Sequence, residues 1–159
     1  MDLLAFFQWF EESGLGRAVR ESVWAFAVIE SIHLIALVML GGSALLVDMR
    51  MLNLGLRQRP VAELARDAQR FFSFGLGLLV VSGTALFASE AVKCYYSTPF
   101  WIKIITLFVA TIFTYGVRNR VAFAQEGRVG VASKALVAVL SIGMWFTVAA
   151  SGRWIGFSG

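Results

Sequence analysis

The sequence is poor in several residue types, and each shortage narrows what the chain can be. Its 159 residues include one cysteine, one histidine and two prolines. The lone Cys94 cannot form an intrachain disulfide, so cysteine usage gives no indication of a redox compartment. Charged residues make up 15% of the chain, against roughly 25% in soluble domains. The shortage of charge excludes an ordinary soluble domain.

Apolar residues take the place of the missing charge, at 58% of the chain. They form four segments, each near the roughly 20 residues that cross a bilayer as a helix. The segments cover residues of about 22–48, 71–92, 99–117 and 134–157. They lack the alternating polarity of membrane strands, and a helix satisfies its own backbone in lipid. We therefore predict an all-α integral membrane four-helix bundle, a single domain over residues 1–159 with the lipid bilayer as its partner.

Before the first span, the chain predicts an amphipathic helix over residues of about 2–14 that lies in the membrane interface. Its aromatic side chains would rest at the headgroup boundary and its polar ones would face water. The aromatic set is Phe6, Phe7, Trp9 and Phe10, and the polar set is Gln8, Glu11 and Glu12.

The net charge of +4 comes from basic residues concentrated in two connectors, which is typical of cytoplasmic loops rather than of a nucleic-acid partner. Nine of the fourteen basic residues lie on that side: Arg50, Arg57, Arg59, Arg66, Arg70, Arg118, Arg120, Arg128 and Lys134. The other side holds Arg17, Arg20, Lys93, Lys103 and Arg153. The excess predicts a multi-pass protein of the bacterial inner membrane with both termini periplasmic.

Polar residues within the spans are the candidates for function. The stretch WAFAVIESIHLIALVMLGGSALLVDMR places Glu30 and His33 roughly 12 and 16 Å below the outer start of the first span. Residues three apart share a helix face, so these two predict one polar site. Glu90, Lys103 and Arg153 add charges in the same outer half, and intramembrane charges usually face the bundle interior and pair.

Three chemistries suit the deep pair. Glu-x-x-His is half of a carboxylate-bridged di-iron site, although that site needs a second such motif. Glu and His also serve in proton or ion paths through membranes. Finally, one His at mid-depth is a sufficient axial ligand for haem, with aromatic and small residues forming the pocket.

Two segments resemble a known family group. IHLIALVMLGGSALLVDMR is similar to the first span of HemJ-type protoporphyrinogen oxidases and CopD-like membrane proteins, where a His precedes an apolar stretch, a Gly and an Arg. TPFWIKIITLFVATIFTYG is similar to the HemJ span in which Trp lies just before a Lys. The resemblance implies a small helical membrane protein that binds b-type haem, with His33 and Lys103 at the positions of the family's important His and Lys.

Together these observations predict a haem b protein acting in electron transfer or oxidoreduction. His33 would be the axial ligand and metal-binding residue, and Glu30 would tune its surroundings. Lys103 or Arg153 would meet a haem propionate or a quinone-like redox partner, because a fixed cation favours an anion. We expect a homo-oligomer. The alternatives are a proton- or metal-ion-conducting transporter or channel, and a structural membrane subunit without cofactor.

Overall fold

The computed structural model describes residues 3–55, 59–124 and 128–157, and these parts of the chain are helical without any strand. The predicted all-α fold is confirmed. The helices are α1 (Leu3–Glu11), α2 (Gly14–Glu21), α3 (Ala25–Met51), α4 (Val61–Ser89), α5 (Ala91–Tyr96), α6 (Thr98–Phe113), α7 (Asn119–Phe123) and α8 (Val131–Ile155). A π-helical turn, Thr114–Arg118, joins α6 to α7 and is called the π segment below.

Four helices are long and apolar enough to cross a membrane. They are α3, α4, α8 and the continuous helix Thr98–Phe123, which is called the rod below and consists of α6, the π segment and α7. The chain is a multi-pass membrane protein. α4 starts at Val61, well before the predicted residue 71, because the amphipathic turns at its start continue the helix beyond the apolar run. The rod likewise continues past the predicted residue 117 to Phe123. Asp2 and Arg57, both used in the predictions, lie outside the described residues.

The bundle is built from two tight helix pairs, α3 with α4 and α6 with α8, which meet where α3 packs on α8. Gly75 permits the first pair, since a Cβ there would lie 2.9 Å from the Leu40 nitrogen. One end of the bundle carries α1, α2 and α5 and is called the α5 end; the opposite end carries α7 and is called the α7 end. α4 and α6 make few contacts with each other.

The predicted N-terminal helix is present as α1, and a second short helix that was not predicted, α2, follows it. Ser13 ends α1 and starts α2, because its hydroxyl accepts a hydrogen bond from the Gly16 amide at 3.3 Å. A Cβ at Gly16 would clash with the carbonyl oxygens of Glu11 and Ala88, so only glycine lets α2 approach the end of α4 this closely.

Two side chains of α1 lie differently from the prediction. Phe7 is buried among Phe87, Tyr95, Phe100 and Trp101 rather than resting in the interface. The Glu11 carboxylate accepts a hydrogen bond from the Val92 amide at 2.6 Å and pairs with Arg20 at 3.2 Å. α1 is therefore fastened to α5 by an aromatic cluster and a carboxylate.

A buried ion pair holds the α7 half of the bundle together. Arg118 donates to Asp48 at 2.6 Å and to the Ala44 carbonyl at 2.8 Å. Ser141 on α8 donates to the other Asp48 oxygen at 2.6 Å. Both charged side chains are almost fully buried, at 1% and 4% exposed. The network ties α3, the π segment and α8 at one point.

The π segment is anchored at both of its ends. Thr114 at its start accepts a hydrogen bond from the Trp145 indole of α8 at 3.2 Å, and Arg118 at its end reaches Asp48 of α3. Arg118 was predicted to be an exposed connector charge, and that prediction is wrong because the residue is buried at the end of the π segment. The carboxylate of Asp48 compensates the guanidinium, so a charge can remain within the span.

Replacing Arg118 tests this network. Arg118→Met leaves the Asp48 carboxylate buried without its charge partner, which should lower the free energy of unfolding by about 3–5 kcal/mol. Arg120→Met is the matched control, because Arg120 is exposed on α7 and a surface change usually costs less than about 0.5 kcal/mol. Thermal unfolding of both variants in detergent measures the difference, and equal losses would contradict the network's role.

Candidate functional site

His33 lies on the buried stripe of α3, about 12 Å from the start of that helix, and is 8% exposed. Its Nδ1 is 2.9 Å from the Ser82 hydroxyl of α4. That hydroxyl lies 2.7 Å from the Leu78 carbonyl, to which it donates its single hydrogen. The hydroxyl must then accept from His33, which assigns the proton to Nδ1 and leaves the lone pair on Nε2.

Lys103 of α6 occupies the other side of the ring. Its ammonium lies 3.4 Å from His33 Nε2 and donates to that lone pair. The same ammonium packs against α8 at Gly152, where a Cβ would lie 3.2 Å from Nζ. Residues of α3 and α8 therefore surround this lysine of α6, and a Cβ at Gly152 would require the ammonium to shift by a few tenths of an ångström.

A groove of about 440 Å³ opens between α4 and α6 at the α5 end, where these two helices hardly touch. His33 and Lys103 form its polar part. Gly83 lets the imidazole lie against α4, since a Cβ there would be 3.1 Å from the ring carbon Cε1. The remaining lining is mostly apolar: Phe7, Leu79, Val80, Gly83, Thr84, Phe87, Phe100, Trp101, Ile104 and Leu107.

An aromatic cluster closes the α5 end of the groove. The Phe7 ring of α1 lies 5.2 Å from Phe87 and 5.9 Å from Trp101, centroid to centroid. Phe87 and Phe100 stack across the gap between α4 and α6 at 5.5 Å. These rings cover the groove at the α5 end, while the side of the groove between α4 and α6 stays open.

The structure brings together two of the five predicted site residues, His33 and Lys103. Glu30 is exposed on the surface of α3. Glu30 is rotated about 60° from His33 around the helix axis, in the direction away from Ala36. It therefore lies about 120° from Ala36, off the stripe that buries His33 and Ala36. The predicted shared face therefore did not place both side chains in one site.

Glu90 and Arg153 also lie outside the groove. Glu90 follows α4, is exposed, and pairs with Lys93 at 3.7 Å. Arg153 is exposed near the end of α8, where its guanidinium lies 4.8 Å above the Phe157 ring. Neither residue pairs with the other, so the groove's charge comes from Lys103.

Ser82 and Gly83 were not predicted as functional residues. Both stand in an apolar span, where small residues usually indicate helix packing. The sequence signal that could have indicated a site was the adjacency of a hydroxyl-bearing residue and a glycine. Only the packing of α3 on α4 aligns them with His33.

No group of three or more His, Cys, Asp or Glu side chains within the described residues could hold a metal ion. The di-iron hypothesis therefore gains no support. A single imidazole instead suits a metal that brings most of its own ligands. The imidazole Nδ1–H of His33 donates to the Ser82 hydroxyl, and proteins orient metal-binding histidines by hydrogen bonds of this kind.

Cys94 in α5 is not a candidate nucleophile. Its side chain is 7% exposed and packs with Phe7 and Ala91 in a hydrophobic cluster. Burial, with help from the nearby Glu90 carboxylate, raises the pKa of the thiol to about 11. The thiolate, which is the reactive form, is therefore scarce at neutral pH.

The hydrogen bond that orients the imidazole can be tested through Ser82. Ser82→Ala strands the buried Nδ1–H of His33 and should lower the free energy of unfolding by about 1–3 kcal/mol. Thr84→Ala is the control, because the Thr84 hydroxyl bonds only the Val80 carbonyl of its own helix. Thermal unfolding should separate the two variants, and a Thr84 loss as large as the Ser82 loss would contradict the assignment.

The comparisons with known proteins yield one family. A model described as a family of unknown function, DUF6644, matches residues 6–158. No curated protein matches the chain, and no solved structure does. The matched range includes all four spans, both groove residues and the Asp48–Arg118 pair. The chain belongs to the DUF6644 family.

Proposed function

We propose that the protein binds haem b in the groove, where His33 Nε2 would hold the iron, and that it acts in electron transfer or oxidoreduction. One observation carries the proposal. The imidazole is buried, its Nδ1 proton is committed to Ser82, and its Nε2 lone pair faces Lys103 within an apolar, aromatic-lined groove. A haem-binding histidine needs an oriented imidazole beside a largely apolar pocket. Iron bound at Nε2 would replace the Lys103 hydrogen bond and would free the ammonium for a propionate.

The groove's chemistry fits this cofactor. Bound haem would supply one-electron chemistry at a potential that the axial ligand and the apolar surroundings set. Leu79, Ile104 and Leu107 provide apolar contact, and Phe100 and Trp101 provide flat aromatic surfaces. The Lys103 ammonium offers a charged donor for a haem propionate or a quinone-like partner. The resemblance of the first and third spans to HemJ and CopD-like proteins supports the same roles for His33 and Lys103.

A conducting protein is less well supported than a cofactor protein. About 22 Å of α3 separates His33 from Asp48, the other buried charge site. The described core between the two holds apolar side chains packed together, among them Leu40, Phe72, Trp145 and Val148. A proton or ion would have to cross this largely apolar layer.

We also propose that the protein lies in the bacterial inner membrane with both termini periplasmic. Burial removes Arg118 from the count of cytoplasmic connector charges, and Lys103, which lies in the groove, is removed from the count on the opposite side. Eight basic residues then remain on the α7 side and four on the α5 side. The α7 side still carries more basic residues than the α5 side, so we assign the α7 end to the cytoplasm.

Self-association is a further part of the proposal. Gly77 and Gly143 are exposed, and within the described parts of the chain no other helix lies within 4 Å of a Cβ built at either position. They therefore leave flat patches on the outside of the bundle. Small residues on membrane helices permit close approach of another helix. A second copy of the chain is the partner we propose for them.

An absorption spectrum of the detergent-purified protein tests the haem proposal. We expect a Soret band in the unchanged protein and its loss in His33→Ala, because that variant removes the axial nitrogen. Arg153→Ala is the control and should keep the band, since Arg153 lies outside the groove. A colourless protein from cells with ample haem would refute the proposal.

Orientation is testable with single cysteines in a Cys94→Ala background. Tyr96→Cys places a thiol at the α5 end, where the side chain is 70% exposed, and Arg120→Cys places one on the exposed surface of α7. An impermeant thiol reagent added to the periplasmic side should label the first and spare the second. Labelling of Arg120→Cys alone would reverse the orientation. The native Cys94 should label slowly from either side, because it is buried.

A further inference from the structure

We propose that the groove is loaded from the bilayer rather than from water, and that it accepts a membrane-dissolved amphiphile whose carboxylate binds the Lys103 ammonium. The inference rests on the groove being the binding site of the proposed function, and it names the chemical class of molecule that the site admits. Three features of the groove carry it: its charge, its open side and its closed end.

The charge of the groove is not balanced by the protein. No carboxylate of the described residues lies within 4.0 Å of the Lys103 ammonium. Its hydrogen-bond partner is the neutral imidazole of His33 at 3.4 Å. By contrast, the buried Arg118 has its own carboxylate at 2.6 Å. An ammonium in apolar surroundings is costly unless it is paired, so the groove lacks an anion.

A lysine ammonium has three donors, and the contact with His33 Nε2 uses one of them. The other donors remain for a ligand. A carboxylate accepts charged hydrogen bonds at two oxygens, and such bonds are about twice as strong as neutral ones. A carboxylate head beside Lys103 would therefore complete the charge pair without displacing the imidazole from Ser82.

The open side of the groove faces the region that lipid occupies. Val80 of α4 and Ile104 of α6 line the groove and are also 51% and 42% exposed, so they form its two rims. Both belong to helices that cross the membrane. The apolar body of an amphiphile can pass between these rims without leaving hydrocarbon.

The closed end excludes entry from water. α1 lies across the α5 end, where Phe7 is 5% exposed and packs on Phe87 and Trp101. Glu11 holds α1 in place through the Val92 amide at 2.6 Å. A water-soluble anion would have to displace this aromatic cluster to reach Lys103.

Photolabelling in nanodiscs tests the inference. The probe is a long-chain fatty acid carrying a diazirine in its chain, and its methyl ester is the uncharged counterpart. Labelled residues are mapped by mass spectrometry of the full-length protein. We expect the acid to label groove residues of α4 and α6, such as Val80 and Ile104, and the ester to label them about tenfold less. That factor is what the loss of one charged hydrogen bond produces.

Variants of the lysine make the test specific. Lys103→Gln should reduce acid labelling in the groove to the level of the ester, whereas Lys103→Arg should retain much of it. Lys93→Gln is the matched control, because Lys93 lies at the same end of the bundle but pairs with Glu90 outside the groove. It should leave labelling unchanged.

Each outcome bears on one proposal. Equal labelling by acid and ester would overturn the inference and indicate a groove filled by any lipid. Acid labelling that survives Lys103→Gln in a folded protein would also overturn it. Because the experiment uses no haem, selective labelling of a protein without a Soret band would support the carboxylate site while the haem proposal fails. Labelling is done on haem-free protein, because bound haem would fill the same groove. A Soret band in the protein as purified, with no selective labelling of the haem-free form, would give the reverse result.

Discussion

Hydrocarbon offers no hydrogen-bond partners, so every polar side chain within the four spans must pair inside the bundle or reach the interface. The structure satisfies this constraint in two places. At the α7 end, Asp48 and Arg118 neutralise each other, with Ser141 completing the network. At the α5 end, His33 bonds Ser82 and Lys103 bonds His33, a chain of neutral and charged donors without a carboxylate.

The two networks have different consequences because their charges balance differently. The Asp48–Arg118 pair is complete, and all three of its elements are held in fixed positions by it. Removing either partner would leave an uncompensated buried charge, so the pair fixes these elements relative to one another. The His33–Lys103 pair leaves a positive charge beside an open groove. The binding that we propose there rests on this difference, because an external anion or cofactor would supply the missing negative charge.

Apolar packing keeps the two networks apart. Leu40, Phe72 and Trp145 fill the bundle between them, and the Trp145 indole is itself satisfied by Thr114. This layer separates the groove at one end of the bundle from the buried ion pair at the other. In the haem protein that we propose, redox exchange would take place at the groove end.

Residue patterns predicted the fold and part of the site. Length and hydropathy alone indicate four spans, because about 20 apolar residues have few alternatives to a membrane helix. His33, the one histidine, and Lys103, a charged residue near the start of a span, can also be recognised as candidate site residues from the sequence alone. Arg118 was misplaced because a connector arginine and a buried one look alike until Asp48 is packed opposite. Phe7 was misplaced for the same reason, since its burial depends on Phe87, Phe100 and Trp101.

The sequence by itself determined the number of helices, their apolar character and the presence of a few titratable groups at depth. Those properties follow from local composition and from the energetic demand of lipid on the backbone. Only the tertiary structure decided which groups meet. Helix rotation takes Glu30 away from His33, and the packing of α3 on α4 supplies Ser82. The separation of α4 from α6 creates the groove. Such pairings depend on crossing helices from distant parts of the chain, and no local pattern encodes them.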